Sequence, residues 1–366
     1  VFDEAQMIKN HTSRAYAAAR VLDTPVKIAV TGTPLENNLL ELWALASLVC
    51  PGLLGSKAHF TEFFRHPVEK QGDTQRLALL QRRLRPFLLR RTKDMVAADL
   101  PAKTEKVLEL QLSPTHRRIY DVRLQRERAK VLGLVQDLDA NRFEVFRSLT
   151  LLRQLALDSE LAGEAPTPSA KLSALAELLT TVTQEGHKVL VLSQFTRFLR
   201  KARDAATAAG IDSLYLDGAT RNRQQVIDTF RGEVDGDGAA GGSGAPVFFI
   251  SLKAGGFGLN LTEADYVVLL DPWWTPATEA QAVDRAHRIG QTRPVVVYRL
   301  VSANTIESKV MALKETKAAL FDRVLDGGGA VVDGETAGGG AADRAAVGGG
   351  DIGRALDAAD IRELLA

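Results

Sequence analysis

The chain has 366 residues, is 45% hydrophobic and 25% charged, and carries a formal net charge of +1. Such values suit a globular protein of about two domains, and they exclude a global bias toward nucleic acid or membrane, so any polyanion site must be a local patch. Cys50 is the only cysteine, which excludes internal disulfides and cysteine-rich zinc sites. No apolar run reaches bilayer-spanning length and no secretory leader is visible, so a reducing, cytosolic setting without membrane contact is expected.

The chain opens on Val1-Phe2-Asp3-Glu4 without an initiator Met, which reads as the end of a strand and as a fragment whose upstream part is missing. Residues 1–55 hold two strand-like pieces, Val1-Phe2 and Val26–Val30, with helices expected near 13–21 and 36–49. Two strands cannot make a doubly covered parallel sheet, so this region reads as the last part of a first lobe. Residues 56–165 lack apolar strand runs and carry charged helical stretches at Gln75–Arg85, His116–Val135 and Arg142–Leu157. Arg82, Arg83, Arg85, Arg90, Arg91 and Lys93 crowd one short segment there, suited equally to phosphate contact and to buried salt bridges. Pro166 and Pro168 mark a linker.

Residues 166–326 are regular. Apolar strands are expected at Val189–Leu192, Leu214–Leu216, Val247–Ile250, Tyr266–Leu270 and Val295–Leu300, with helices near 196–209, 221–231, 277–289 and 304–321. Alternation of strand and helix predicts an α/β lobe with a mainly parallel sheet, whose ligands sit beyond the carboxyl ends of the strands. Residues 232–245 look like a flexible insertion, in which Asp235 and Asp237 echo a calcium loop that lacks its later ligands. Residues 327–366 form a Gly/Ala tract followed by an expected short helix within Asp351–Ala366.

Four segments offer chemistry. Asp3-Glu4-Ala5-Gln6 ends a strand, where one acid can hold Mg²⁺ through its water shell and the next can orient a water; taken alone, the plainer reading is a pair of solvated loop acids. Thr31-Gly32-Thr33 follows the next strand and reads either as a hydroxyl switch or as a turn capped by Thr33. The run from Ser251 to Thr262 places Gly255, Gly256 and Gly258 beside Lys253 and Asn260, exposing backbone N–H groups to a phosphate or ribose; a glycine-rich turn is the plain alternative. Asp271-Pro272-Trp273-Trp274 offers aromatic rings for stacking or packing.

The last segment runs from Gln281 to Gln291. With Thr275 as cap, Pro276 at the first position and Gly290 at the stop, one helix would set Gln281, Arg285 and Arg288 on a single face at i, i+4 and i+7. Two guanidiniums and an amide make a poor core stripe and a good clamp for a phosphate chain. No metal-type histidine spacing, hydrolase elbow, Walker A loop or Rossmann fingerprint is present in the sequence.

The order of these segments is more specific than any one of them. VFDEAQMIKN, TGTPLENNLLELWALASLV, LRPFLLRRTKDMVAADLPAKTE, VLVLSQF, SLKAGGFGLNLTEADYVVLLDPWW and QAVDRAHRIGQTRPVVVYRLV, over about 1–320, together resemble the Swi/Snf-type ATPases of helicase superfamily two. The resemblance implies RecA-like parallel-sheet lobes, the second complete and the first partial, with a family-specific helical insertion between them. It implies an enzyme that uses ATP and Mg²⁺ to move along double-stranded DNA, without necessarily separating the strands. Asp3 would be the Mg²⁺ acid and Glu4 the catalytic acid, with Arg285 and Arg288 as arginine fingers. Gln281, Gly256, Gly258 and Asn260 would touch ATP. Thr31, Gly32 and Thr33 would couple hydrolysis to movement, and Ser193, Gln194, Phe195 and Lys253 would touch DNA.

The family's Gly-Lys-Thr phosphate loop has no counterpart in this sequence, so the 366 residues alone are expected not to hydrolyse ATP, while a full-length parent would. The alternatives are a non-enzymatic DNA-binding module, were the chain complete, and a strand-separating helicase. The Ala-, Gly- and Arg-rich style suggests a bacterial, cytoplasmic, nucleoid-associated protein whose cargo is RNA polymerase or another DNA-bound protein.

Overall fold

The computed structural model describes residues 1–32, 38–91, 93–97, 99–233, 244–252, 259–274, 276–314 and 358–365. The chain falls into two compact units, one built on residues 1–91 and the other on residues 92–273 and 278–311.

In the first unit Phe2 pairs with Ala29 in a single parallel bridge, closed by Phe2 N–H to Ile28 O at 2.7 Å and Val30 N–H to Phe2 O at 2.8 Å. The Val26–Val30 run therefore makes a bridge and not the expected strand ladder, and Val26, Ile28 and Val30 stay exposed. Ser13 accepts from Tyr16 N–H and starts the helix Arg14–Val21; Asn38 accepts from Leu40 N–H and starts Leu39–Val49. The apolar face of that second helix packs with Leu54, Phe60, Phe64 and Val68 and with Leu77, Leu80 and Leu84 from the helix Thr74–Leu84.

The second unit carries a six-stranded, wholly parallel sheet. Its strands are β1 (Lys103–Leu110), β2 (Val189–Ser193), β3 (Ser213–Leu216), β4 (Val247–Ser251), β5 (Tyr266–Leu269) and β6 (Val295–Ser302), in the order β1-β6-β5-β2-β4-β3. Strands β2 and β4 are buried along their whole length, as apolar runs covered on both faces must be. Helices Thr196–Ala208 and Arg223–Arg231 link β2 to β3 and β3 to β4. Pro276–Val283 lies between β5 and β6, and residues 306–314 are helical after β6. Sheet and helices meet in a core of Val189, Val191, Phe198, Leu199, Phe249, Val268 and Leu300.

Five of these strands answer to the apolar runs. β1 does not: Lys103-Thr-Glu-Lys-Val-Leu-Glu-Leu110 has no apolar run, yet it pairs with β6 from Lys103↔Val295 to Leu110↔Ser302. It is an edge strand, mostly exposed and charged, which hides its strand character from an apolar pattern. The helices Pro114–Leu134 and Leu138–Leu157 follow as a hairpin joined by the turn Val135–Asp137.

The sheet order fixes where a site can form. From β2 the chain goes to β3 on one side, returns through β4, and then crosses β2 to reach β5 on the other. Chain connections therefore leave β2 and β5 in opposite directions, and the carboxyl ends of these two neighbours form the topological switch point.

Candidate nucleotide and DNA site

The acids lie at the end of the Phe2 bridge. Ala5 N–H donates to Val30 O at 2.9 Å, which sets the 3–6 turn against residues 29–31. Glu4 sits in the left-handed region at φ 49°, ψ 46°, an uncommon conformation for a side chain of its size. Its carboxylate accepts from the Gln6 amide, whose oxygen accepts from the Thr31 hydroxyl at 2.6 Å. Thr31, Gln6 and Glu4 thus form one hydrogen-bonded relay across 25 residues of sequence. Gly32 follows directly, and Thr33 lies outside the described residues. Asp3 is exposed and its Oδ1 caps the Glu4 N–H at 2.9 Å.

The arginine segment differs from the sequence expectation. The helix is Pro276–Val283, and residues 284–290 continue as turns, so Gln281, Arg285 and Arg288 do not share a helical face. Tertiary anchors override the helical pattern. Lys93 Nζ binds Asp284 at 2.5 Å and the His287 carbonyl at 2.5 Å, and His287 Nε2 meets Pro101 O at 2.8 Å. Gly290 has φ 105°, a conformation open to glycine, and closes the turn. Gln281 and Arg288 are exposed, whereas Arg285 is only 7% exposed. Its Nη1 has no hydrogen-bond partner among the described residues. Burial pulls its pKa down to about 10. A guanidinium withdrawn from water without an acceptor is costly, and it marks a place where an anion would be held strongly.

Asn260 lies next to that turn. Leu261 N–H donates to the Arg285 carbonyl at 3.0 Å, and Gln291 Nε2 donates to the carbonyls of Thr262, Ala264 and Ala286. Asn260 Oδ1 is buried and has no partner among the described residues. Asn260 and Arg285, 25 residues apart by number, are therefore brought together, with Gln291 as a staple that spacing did not single out. Lys253, Gly255, Gly256 and Gly258 lie outside the described residues, as do the cap Thr275 and the calcium-like Asp235 and Asp237.

At the switch point, Ser193 is fully buried and its hydroxyl binds Asp271 Oδ1. Gln194 binds Asp271 twice, through its backbone N–H at 3.2 Å and its amide at 2.5 Å, and Phe195 N–H donates to Ser193 Oγ at 3.0 Å. Ser193, expected at a DNA contact, has its hydroxyl committed inside the protein. Burial pushes the Asp271 carboxyl up, and Arg153, Ser193 and Gln194 pull it back. Gln194 and Phe195 keep partial exposure, and Arg197 beyond them is exposed.

A family model for the SNF2-related domain matches residues 1–161, and one for the helicase conserved C-terminal domain matches residues 170–290. A solved Sulfolobus solfataricus SWI2/SNF2 ATPase core, in complex with double-stranded DNA, is 30% identical, with a TM-score of 0.50 over 89% of this chain and 68% of that one. The chain belongs to the SNF2-related ATPase family.

Among the curated relatives of this SNF2-related chain, an ATP-dependent helicase of Mycoplasma pneumoniae is 35% identical over 89% of this chain and 30% of its own length. A human SWI/SNF-related, matrix-associated, actin-dependent regulator of chromatin is also 35% identical, over 90% of this chain and 32% of its own length. The chain thus spans about a third of the curated relatives it matches.

The SNF2-related chain has no cluster of three or more His, Cys, Asp or Glu among the described residues. An Mg²⁺ ion held by one carboxylate, water and nucleotide phosphates needs no such cluster, and Asp3, exposed at the end of the bridge, fits that donor set.

Proposed function

We propose that this chain is part of an ATP-driven motor that moves along double-stranded DNA. The single observation that carries the reading is Arg285: a buried guanidinium whose Nη1 has no partner among the described residues, on a turn stapled beside Asn260. The solved relative bound to duplex DNA supports the choice of polymer.

Asp3 would hold Mg²⁺ with the nucleotide phosphates, and the ion would supply charge neutralisation on them. Glu4, held by Gln6 and through it by Thr31, would orient the attacking water. Arg285 and Arg288 would meet the charge that develops on the transferred phosphoryl group, and Gln281 and Asn260 would line the nucleotide. Phe195, with Lys253, would meet the DNA backbone, while Ser193 and the Gln194 amide hold the turn from inside. The proposed setting is the bacterial cytoplasm, with RNA polymerase or another DNA-bound protein as cargo.

The test uses the full-length protein that contains this chain. ATP turnover is measured with and without blunt duplex, and displacement of a third strand from a triplex reports movement. Duplex-stimulated turnover and triplex displacement without unwinding of forked DNA are expected. Equal turnover with and without duplex would sink the proposal, and efficient unwinding of the fork would move it to a strand-separating helicase.

A further inference from the structure

Arg153 is a charged side chain where the packing calls for an apolar one. It lies on the helix Leu138–Leu157 among Leu149, Leu152, Leu155 and Ala156, and is only 2% exposed. Its guanidinium reaches two separate pieces of chain, 194–195 and 271–272. Nη1 donates to the Gln194 amide oxygen at 3.1 Å, Nη2 donates to the Pro272 carbonyl at 2.5 Å, and Nη2 lies 3.8 Å from Asp271 Oδ2. The guanidinium carbon sits 5.4 Å from the centre of the Phe195 ring. A second buried cation grips the same segment one residue earlier, since Lys171 Nζ donates to Leu270 O at 2.6 Å and to Leu300 O at 2.8 Å, and pairs with Glu307 at 2.7 Å. Residues 270, 271 and 272 are therefore each held by a buried polar partner, Lys171, Ser193 and Arg153 in turn.

Burying two cations and two carboxylates is a poor route to stability, because apolar residues of similar volume would avoid the desolvation cost. What Arg offers and Met lacks is a planar fork that fixes two acceptors in one geometry. Those acceptors belong to the turn expected to meet DNA and to the segment that leads into the helix before Arg285.

We propose that Arg153 is a positioning residue that joins the Gln194–Phe195 turn to the Asp271–Pro272 segment, so that a load taken by the turn reaches the segment leading to Arg285. The transmission rests on the DNA-motor reading; the positioning itself does not.

Amide hydrogen exchange in the full-length protein tests the positioning. Arg153→Met is expected to speed exchange at Gln194 and Phe195 about tenfold, the scale of one lost charge-assisted hydrogen bond, with Arg153→Lys falling between. Ser302→Ala removes a buried bond to Ala156 O at the end of the same helix without touching the turn, and is expected to leave those two amides unchanged. Unchanged exchange in Arg153→Met, or in Arg153→Lys if the Met variant fails to fold, overturns the assignment, as does an equal effect of Ser302→Ala. For transmission, the duplex concentration giving half-maximal ATP turnover is expected to rise about tenfold in Arg153→Met while KM for ATP moves less than about twofold. A parallel rise in both contradicts transmission. Absence of any duplex stimulation in the unsubstituted protein defeats the motor reading and transmission with it, while the exchange result still decides the positioning.

Discussion

Glu4 shows how much a single residue can be asked to hold. A non-glycine side chain in the left-handed region costs on the order of 1–3 kcal/mol and persists where surrounding contacts over-determine it. Here those contacts are the Ala5 N–H to Val30 O bond, the Asp3 cap and the Gln6 amide on the carboxylate. The Thr31 hydroxyl in turn fixes the Gln6 amide, so the state of the 31–32 segment is felt at Glu4. Gln6→Leu and Thr31→Val are expected to lower duplex-stimulated ATP turnover of the full-length protein about 10–100-fold, the range for partners that orient a working group. A double variant no worse than either single one would show that both act through the same relay; additive losses would break it. Acids and hydroxyls at strand ends were legible in the sequence as separate segments. The bond between them was not, because nothing in local spacing places Gln6 against Thr31.

At the scale of elements, the strands with apolar runs and the helices with caps were legible. β1 and the end of the 276–283 helix were not. Both exceptions have the same cause: long-range contacts decide the local state, through the β6 ladder in one case and Lys93 and Pro101 in the other. The helical hairpin 114–157 is anchored in a similar way. His116, fully buried, bonds Leu155 O at 2.6 Å, and its Nδ1 has no partner among the described residues. Burial holds the imidazole below its ordinary pKa, so the neutral ring is the folded form. As pH falls through about 6.5 the unfolded chain takes up a proton that the folded chain resists, so stability is lost toward acid. His116→Gln can keep the bond without titrating. Between pH 7 and 5 its unfolding midpoint in denaturant is expected to fall less than that of the unsubstituted protein, and an equal fall would remove His116 from the account.

At the scale of the molecule, the parallel sheet of the second unit places its switch point where Ser193, Gln194 and Asp271 meet. Motif order identified the family because it samples many strand ends at once, whereas each motif alone samples one. It could not say which motif residues face outward. Ser193 turned inward, Arg285 became buried, and Arg288 remained exposed. On the proposed function, Arg285 is kept, at a cost in stability, for an anion that it meets during turnover. A buried guanidinium whose Nη1 has no partner among the described residues is destabilising by about 1–3 kcal/mol, so an apolar side chain of similar length should relieve it. The most direct test is Arg285→Met in the full-length protein, with thermal unfolding and duplex-stimulated ATP hydrolysis measured on the same sample. An unfolding temperature at or above that of the unsubstituted protein is expected, together with a fall in turnover of about 10³-fold or more. A clearly lower unfolding temperature with turnover largely retained would contradict it.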